Sequence, residues 1–351
     1  MTVRTNLVRL YAFLIALNLG AWALALWAFW SHPILLGTAL LAYTFGLRHA
    51  VDADHISAID NATRKLMQAH KTPLGVGLFF SLGHSTVVVA LTIAVAAGAA
   101  VMKDRLPALQ HAGELIGTSV SAGFLLLIAA INLTILFDIF GAFARARRGE
   151  TYEDFNLDAK LNRRGLMGRL FAPLLRIVDK SWKMYPIGVL FGLGFDTATE
   201  VALLGIAAVE AGKGLPVADI LLFPLLFTAG MSLIDTTDGI LMLGAYGWAF
   251  VKPVRKLYYN AVITSISVFV AIGVGGIEAT GVVADQFRLN GGIWDVVRLL
   301  NDNFGLLGFI IVAFFLASWA VSVALYKRLG YDDLSDSSGQ TSRVAEPYAS
   351  I

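Results

Sequence analysis

The chain has 351 residues, 57% hydrophobic and only 15% charged, with a net charge of +2 and a mean hydropathy of +0.70. Soluble domains carry about 25% charged residues, so an ordinary soluble protein is excluded, and the near-neutral balance gives no footing for nucleic acid. The absence of cysteine excludes disulfides, thiolate metal sites and cysteine nucleophiles.

A spanning helix needs about 20 mostly apolar residues. The first such segment, 9–30, follows MTVRTNLVRL. It is too long for a signal peptide and lacks a small-x-small cleavage site, so it reads as a retained span. Seven more follow, at roughly 34–60, 74–101, 115–143, 186–209, 218–248, 257–279 and 304–326. Eight spans put both termini on one side. Twenty-one Lys and Arg fall on that side and five on the other, and the basic excess marks the cytoplasm. The expectation is therefore an all-α integral membrane protein, N-in and C-in, with a single polytopic domain over 1–329. A cytoplasmic loop covers 144–185 and a disordered cytoplasmic tail covers 330–351. Within the loop, Leu166, Leu170, Leu174 and Val178 recur every four residues among Arg and Lys. That spacing predicts an amphipathic helix on the membrane surface, kinked at Pro173.

Span two contains RHAVDADHI, with Arg48, His49, Asp52, Asp54 and His55. Span three adds His84 in FSLGHSTVV, span five Asp196 and Glu200 in LGFDTATE, and span six Asp235 and Asp238 in GMSLIDTTD. A charge at a span centre costs about 2.5–3.5 kcal/mol on insertion scales, so such residues need a partner or a task. Six carboxylates stand against the one arginine, Arg48. This imbalance calls for a cation or protons, and Arg48 is expected to pair with a carboxylate in the empty site. At about 1.5 Å per residue, His49, His84, Asp196 and Asp235 all fall between the midplane and the inner third of the bilayer. Four helices distant in sequence thus bring ligands to one depth.

Helical phase puts His49, Asp52 and His55 on one side of span two, with Asp54 about 140° from His49. Either Asp54 has a different role or the span is unwound there, as in the broken helices of transporters. Asp60, Asp138 and Glu278 lie near span ends and read as interfacial. His32, His70 and His111 lie in loops. Met231 reads as packing, while Ser85, Thr197, Thr199, Thr236 and Thr237 are candidates to cap broken ends or line a path.

An internal echo accompanies the motifs. FGLRHAVDAD from Phe45 aligns with FGLGFDTATE from Phe191, and LFFSLGHS from Leu78 with LFTAGMS from Leu226. The paired spans run in opposite directions, which is the pattern of an inverted-topology repeat of spans 2–4 and 5–7. Imidazole with carboxylate suits Ni, Co, Zn, Mn or Fe(II), and the lack of thiolate argues against Cu(I). The metal ligands expected are His49, Asp52, Asp54, His55, His84, Asp196, Glu200, Asp235 and Asp238.

These four motifs resemble those of the nickel/cobalt transporter family of bacterial secondary permeases, including its His-x4-Asp-His signature as His49, Asp54 and His55. The resemblance implies high-affinity import of Ni²⁺ or Co²⁺ as transported substrate across the bacterial cytoplasmic membrane, without a cofactor and without ATP hydrolysis. Its partners are then the metal ion and the bilayer, with the oligomeric state open. Efflux is the competing transport reading, and the lack of a His-rich loop disfavours it. A membrane metalloenzyme is disfavoured because His-Glu-x-x-His is absent and histidines are few.

Overall fold

The second span breaks where the phase of Asp54 requires it. In the computed structural model, α1 (Val3–Phe29) is followed by α2 (Pro33–His49) and α3 (Ala53–Gln68), which meet at 53°. Asp52 is extended at φ −65° and ψ 146° and occupies the cap position of α3. Aspartate is a preferred cap residue, yet its side chain makes no cap bond and turns to His49 instead. The residues described are 3–69, 71–102, 106–147, 178–193, 198–249 and 253–328, and all regular structure among them is helical.

The chain continues through α4 (Val76–Met102), α5 (Leu106–Arg147), a 3-10 turn (Ser181–Lys183), α6 (Met184–Gly192) and α7 (Ala198–Gly212). A single turn, α8 (Val217–Ile220), leads into α9 (Leu222–Ala249), α10 (Pro253–Gln286), α11 (Ile293–Asp302) and α12 (Phe304–Arg328). Among the described residues, five helices are long and apolar enough to cross a membrane, or up to seven if each bent pair counts as one span. One bent pair is α2 with α3. The other is α11 with α12, turned through 79°, where the sequence alone predicts only a single span from 304. The expected fifth span corresponds to α6 and α7, on either side of residues 194–197, which lie outside the described residues. The predicted loop helix is outside them from 161 to 177, as is the tail beyond 328.

Helix packing joins the two halves of the chain. α2 lies along α9 and α4 along α6, while α3 meets α9 and α4 meets α7; α5 pairs with α10. Missing side chains permit the closest approaches. A Cβ on Gly46 of α2 would collide with the Phe227 carbonyl of α9, and one on Gly188 of α6 with the Phe80 carbonyl of α4. Small residues at helix contacts serve this purpose in membranes, where apolar burial gives little drive for association.

Two apolar clusters flank the polar motifs. One includes Ile59, Leu66, Met67, Phe80 and Phe191; the other includes Phe29, Ala42, Leu203, Phe223, Phe227 and Met231. Three expectations are corrected here. Asp60 and Glu278, read as interfacial, are both buried, and Arg64 and Lys65, counted as loop charges, are buried as well. The reason is helix length. α3 runs to Gln68, eight residues past the expected span end, and is packed by α9, α10 and α12. Its polar groups find partners within the protein: Arg64 donates to Asn61 Oδ1 at 3.1 Å, and Asn132 donates to the same atom at 2.7 Å. Likewise α10 runs on to Gln286, and Glu278 accepts from Ser121 Oγ at 2.9 Å.

Candidate metal centre

Three broken or kinked elements deliver three imidazoles to one point. His49 closes α2, His55 opens α3 on the other side of the break, and His84 comes from the middle of α4. All three are buried, and a ligand atom from each lies within 4.8 Å of the others. The ring centroids are 4.5 Å apart for His49 and His55, 4.8 Å for His49 and His84, and 5.0 Å for His55 and His84. Phe80 meets His55 edge-on at 4.8 Å and Phe227 lies 5.5 Å from His49, so the walls are aromatic.

Carboxylates hold the rings from outside. His49 Nδ1 lies 3.1 Å from Asp52 Oδ2, with Thr199 Oγ1 at 3.5 Å from the same nitrogen. His55 Nδ1 lies 3.4 Å from both oxygens of Asp235. Ser81 donates to Asp235 Oδ2 at 2.6 Å. A ring that donates Nδ1–H to a carboxylate turns its Nε2 lone pair inward, the arrangement typical of metal-binding histidines. His55 Nε2 and His84 Nδ1 have no hydrogen-bond partner.

Around His84 the spacing is metric. His84 Nε2 lies 2.7 Å from Glu200 Oε1 and 3.0 Å from His49 Nε2, while His49 Nε2 and Glu200 Oε1 are 4.0 Å apart. Sides of 2.7, 3.0 and 4.0 Å make a triangle right-angled at His84 Nε2. With the Nδ1–H of His49 donated to Asp52, His84 Nε2–H is left to donate to Glu200, with His49 Nε2 as a second acceptor.

Of the nine expected ligands, seven meet in this region in different ways. His49, His55, His84 and Glu200 turn donor atoms inward; Asp52 and Asp235 back the rings. Asp54 stays in the first turn of α3, where its carboxylate accepts backbone N–H groups including that of His55. Asp238 stands one turn beyond Asp235, outside the histidine group. Asp196 lies outside the described residues. Arg48 and Asp52 both face α12: a Cβ on Gly305 would lie 3.3 Å from Arg48 Nη2 and 3.1 Å from Asp52 Oδ1. Among the remaining candidates, Ser85 and Thr236 are buried without a hydroxyl partner, Met231 is packed in the apolar core, and His32 is exposed beside Ser31. Sequence reading missed Ser81 and Gly305. Ser81 stands three residues before His84, on the same helical face, and that phase was the available signal. Gly305 lies in no motif and gave none.

A helical membrane protein with broken spans around a buried imidazole–carboxylate centre has the anatomy of an ion transporter. Residues 35–325 match the family described as "High-affinity nickel-transport protein", and the chain belongs to it. The chain is 56% identical over 330 residues to a high-affinity nickel transport protein of Cupriavidus necator, covering 94% of each chain. It is 46% identical over 296 residues to the nickel transporter NixA of Staphylococcus aureus, covering 84% of this chain and 87% of that one. It is 40% identical over 290 residues to the cobalt transport protein NhlF of Rhodococcus rhodochrous, covering 81% of each. No solved structure matches it. The family is one of membrane transporters and not of enzymes, and the chain is a multi-pass membrane protein.

Proposed function

We propose that this protein imports Ni²⁺ or Co²⁺ across the bacterial cytoplasmic membrane as a secondary permease, with both termini in the cytoplasm. The observation that carries the proposal is the right-angled set of His49 Nε2, His84 Nε2 and Glu200 Oε1, with His55 Nε2 unpartnered beside it. Imidazole and carboxylate donors of this kind would hold Ni²⁺ or Co²⁺. An ion held by His84 Nε2 would replace the proton there, which would move to the unpartnered Nδ1. Asp52 and Asp235 orient the other two rings and offset the ion's charge.

Entry needs no ATP. A +2 ion crossing an inside-negative potential gains about 4.6 kcal/mol per 100 mV. The exchange of partners between halves, α2 with α9 and α4 with α6, supports the inverted repeat and a motion in which the halves rock about the centre. The transported ion is the substrate.

The test is uptake of radiolabelled Ni²⁺ by cells making the protein or its His84→Ala variant at equal membrane levels. Uptake falls to background in the variant, and in the parent Co²⁺ competes while equimolar Zn²⁺ does not. Unchanged uptake in His84→Ala refutes the site, and export from preloaded cells refutes the direction.

A further inference from the structure

Beyond the histidine group, α3 and α9 run side by side in the same direction. His55 meets Asp235 at 3.4 Å. Four residues further on in each helix, a Cβ on Gly239 would lie 3.4 Å from Ile59 Cγ2 and 3.8 Å from Thr63 Oγ1. Each helix carries a second carboxylate along this path. Asp238 follows Asp235 by about 4.5 Å of helix rise, and Asp60 follows His55 by about 7.5 Å. Asp238 lies within electrostatic reach of both Asp60 and Asp235.

Two buried oxygens in this layer lack hydrogen-bond partners. Asp238 is 7% exposed and its Oδ2 accepts no bond; Thr63 is 0% exposed and its Oγ1 makes none. Helical threonines commonly bond back to the carbonyl four residues earlier, as Thr86 and Thr92 do here. Thr63 does not, and it faces the open side of Gly239, next to Asp238. An unsatisfied carboxylate oxygen in a buried layer is costly. Arg64, one residue after Thr63 and one turn after Asp60, donates to Asn61 Oδ1.

We infer that Asp238, Asp60 and Thr63 form a second, all-oxygen station for the divalent ion, one to two turns inward of the histidines. The inference rests on the histidine site and the N-in orientation proposed above. Its chemistry suits release. Carboxylate and hydroxyl oxygens hold Ni²⁺ and Co²⁺ less firmly than imidazole and suit Mn²⁺ and Mg²⁺ as well. An ion passed from the nitrogen-rich centre to this station is held loosely before it leaves. Leu66, Met67 and Met242 of the apolar cluster then close the path inward.

The probe is Mn²⁺, followed by its paramagnetic resonance signal, with the full chain in neutral-lipid nanodiscs. The His49→Ala/His55→Ala/His84→Ala variant should lose tight Ni²⁺ binding yet still take up Mn²⁺, with Ni²⁺ held only weakly at the oxygen station. Adding Asp60→Asn and Asp238→Asn should weaken Mn²⁺ binding at least about tenfold. Thr63→Val, which keeps every charge and the side-chain shape, should weaken it severalfold in the triple-alanine background and serves if the carboxamide variants do not fold. Equal Mn²⁺ binding with and without Asp60 and Asp238, or none in the triple-alanine variant, overturns the station and marks the layer as structural pairing with Arg64 and Lys65. Ni²⁺ affinity in the triple-alanine variant equal to that of the parent instead defeats the histidine site itself.

Discussion

Ser81 touches no ring, yet its hydroxyl fixes the carboxylate that backs His55. Such outer partners typically contribute 10–100-fold to metal affinity. Ser81→Ala should therefore raise the Ni²⁺ dissociation constant by about that factor without lowering the melting temperature by more than a few degrees. Titration calorimetry with a parallel thermal melt separates the two effects. The same rings make binding pH-dependent. Each imidazole must be unprotonated to ligate, so affinity falls as pH falls and protons are released on binding in the acid range. Calorimetry at descending pH, in two buffers of different ionisation enthalpy, reads that release directly. A pH-independent affinity between 5 and about 7.5, a span that brackets the ordinary histidine range, would count against imidazole ligands. The histidines and Glu200 were legible because charged groups in an apolar run must be explained. Their ordering was not: helical phase grouped Asp52 with His49 and His55 as equals, whereas Asp52 faces the Nδ1 side and Glu200 the Nε2 side. Only the bend at 50–52 decides that.

At the scale of helices, the break is sustained by packing. Residues 50–52 are Ala, Val and Asp, with no Pro or Gly to force it, so propensity alone does not reveal it. α12 lies against α3 there, and a Cβ on Gly308 would collide with the Val51 carbonyl. Gly308→Ala should thus push α12 off the break. The expected results are a loss of stability of about 1–3 kcal/mol, the usual cost of overpacking, and Ni²⁺ uptake well below wild type. A thermal melt of the purified variant and uptake at matched expression check both, and an unaltered melt would show that α12 yields freely. Span positions were readable because hydropathy reports length. The extension of α3 to Gln68 was not, because its last turns are polar and are buried by other parts of the protein.

The whole molecule offers a direct test of orientation, since the chain has no native cysteine. Single cysteines at Lys103 and Lys213 should react with an impermeant maleimide added to intact cells. Those at Glu150 and Arg343 should react only after permeabilisation. The reverse pattern would invert the proposed topology and leave the positive-charge bias unexplained. The proposed repeat has its sequence signal in the echo of Phe45 at Phe191. Its expression as exchanged partners, α2 with α9 and α4 with α6, depends on contacts between residues some 180 positions apart in one case and 100 in the other, of the kind local patterning does not encode.

α12 lies outside both halves of the proposed repeat, yet it packs against the break in the first. A perfectly two-fold transporter would favour its two faces equally. Here the broken second span carries an extra brace from α12, and on the proposed motion a rocking of the halves would either carry that helix along or shed its contact at Val51. On that motion the contact would set a resting bias. Each 1.4 kcal/mol by which it differs between the two faces shifts their ratio about tenfold, and the ion must supply that difference through its own tighter hold on one face. The symmetry of the path and the asymmetry of its occupancy then have separate origins, the first in the repeated helices and the second in the one that follows them.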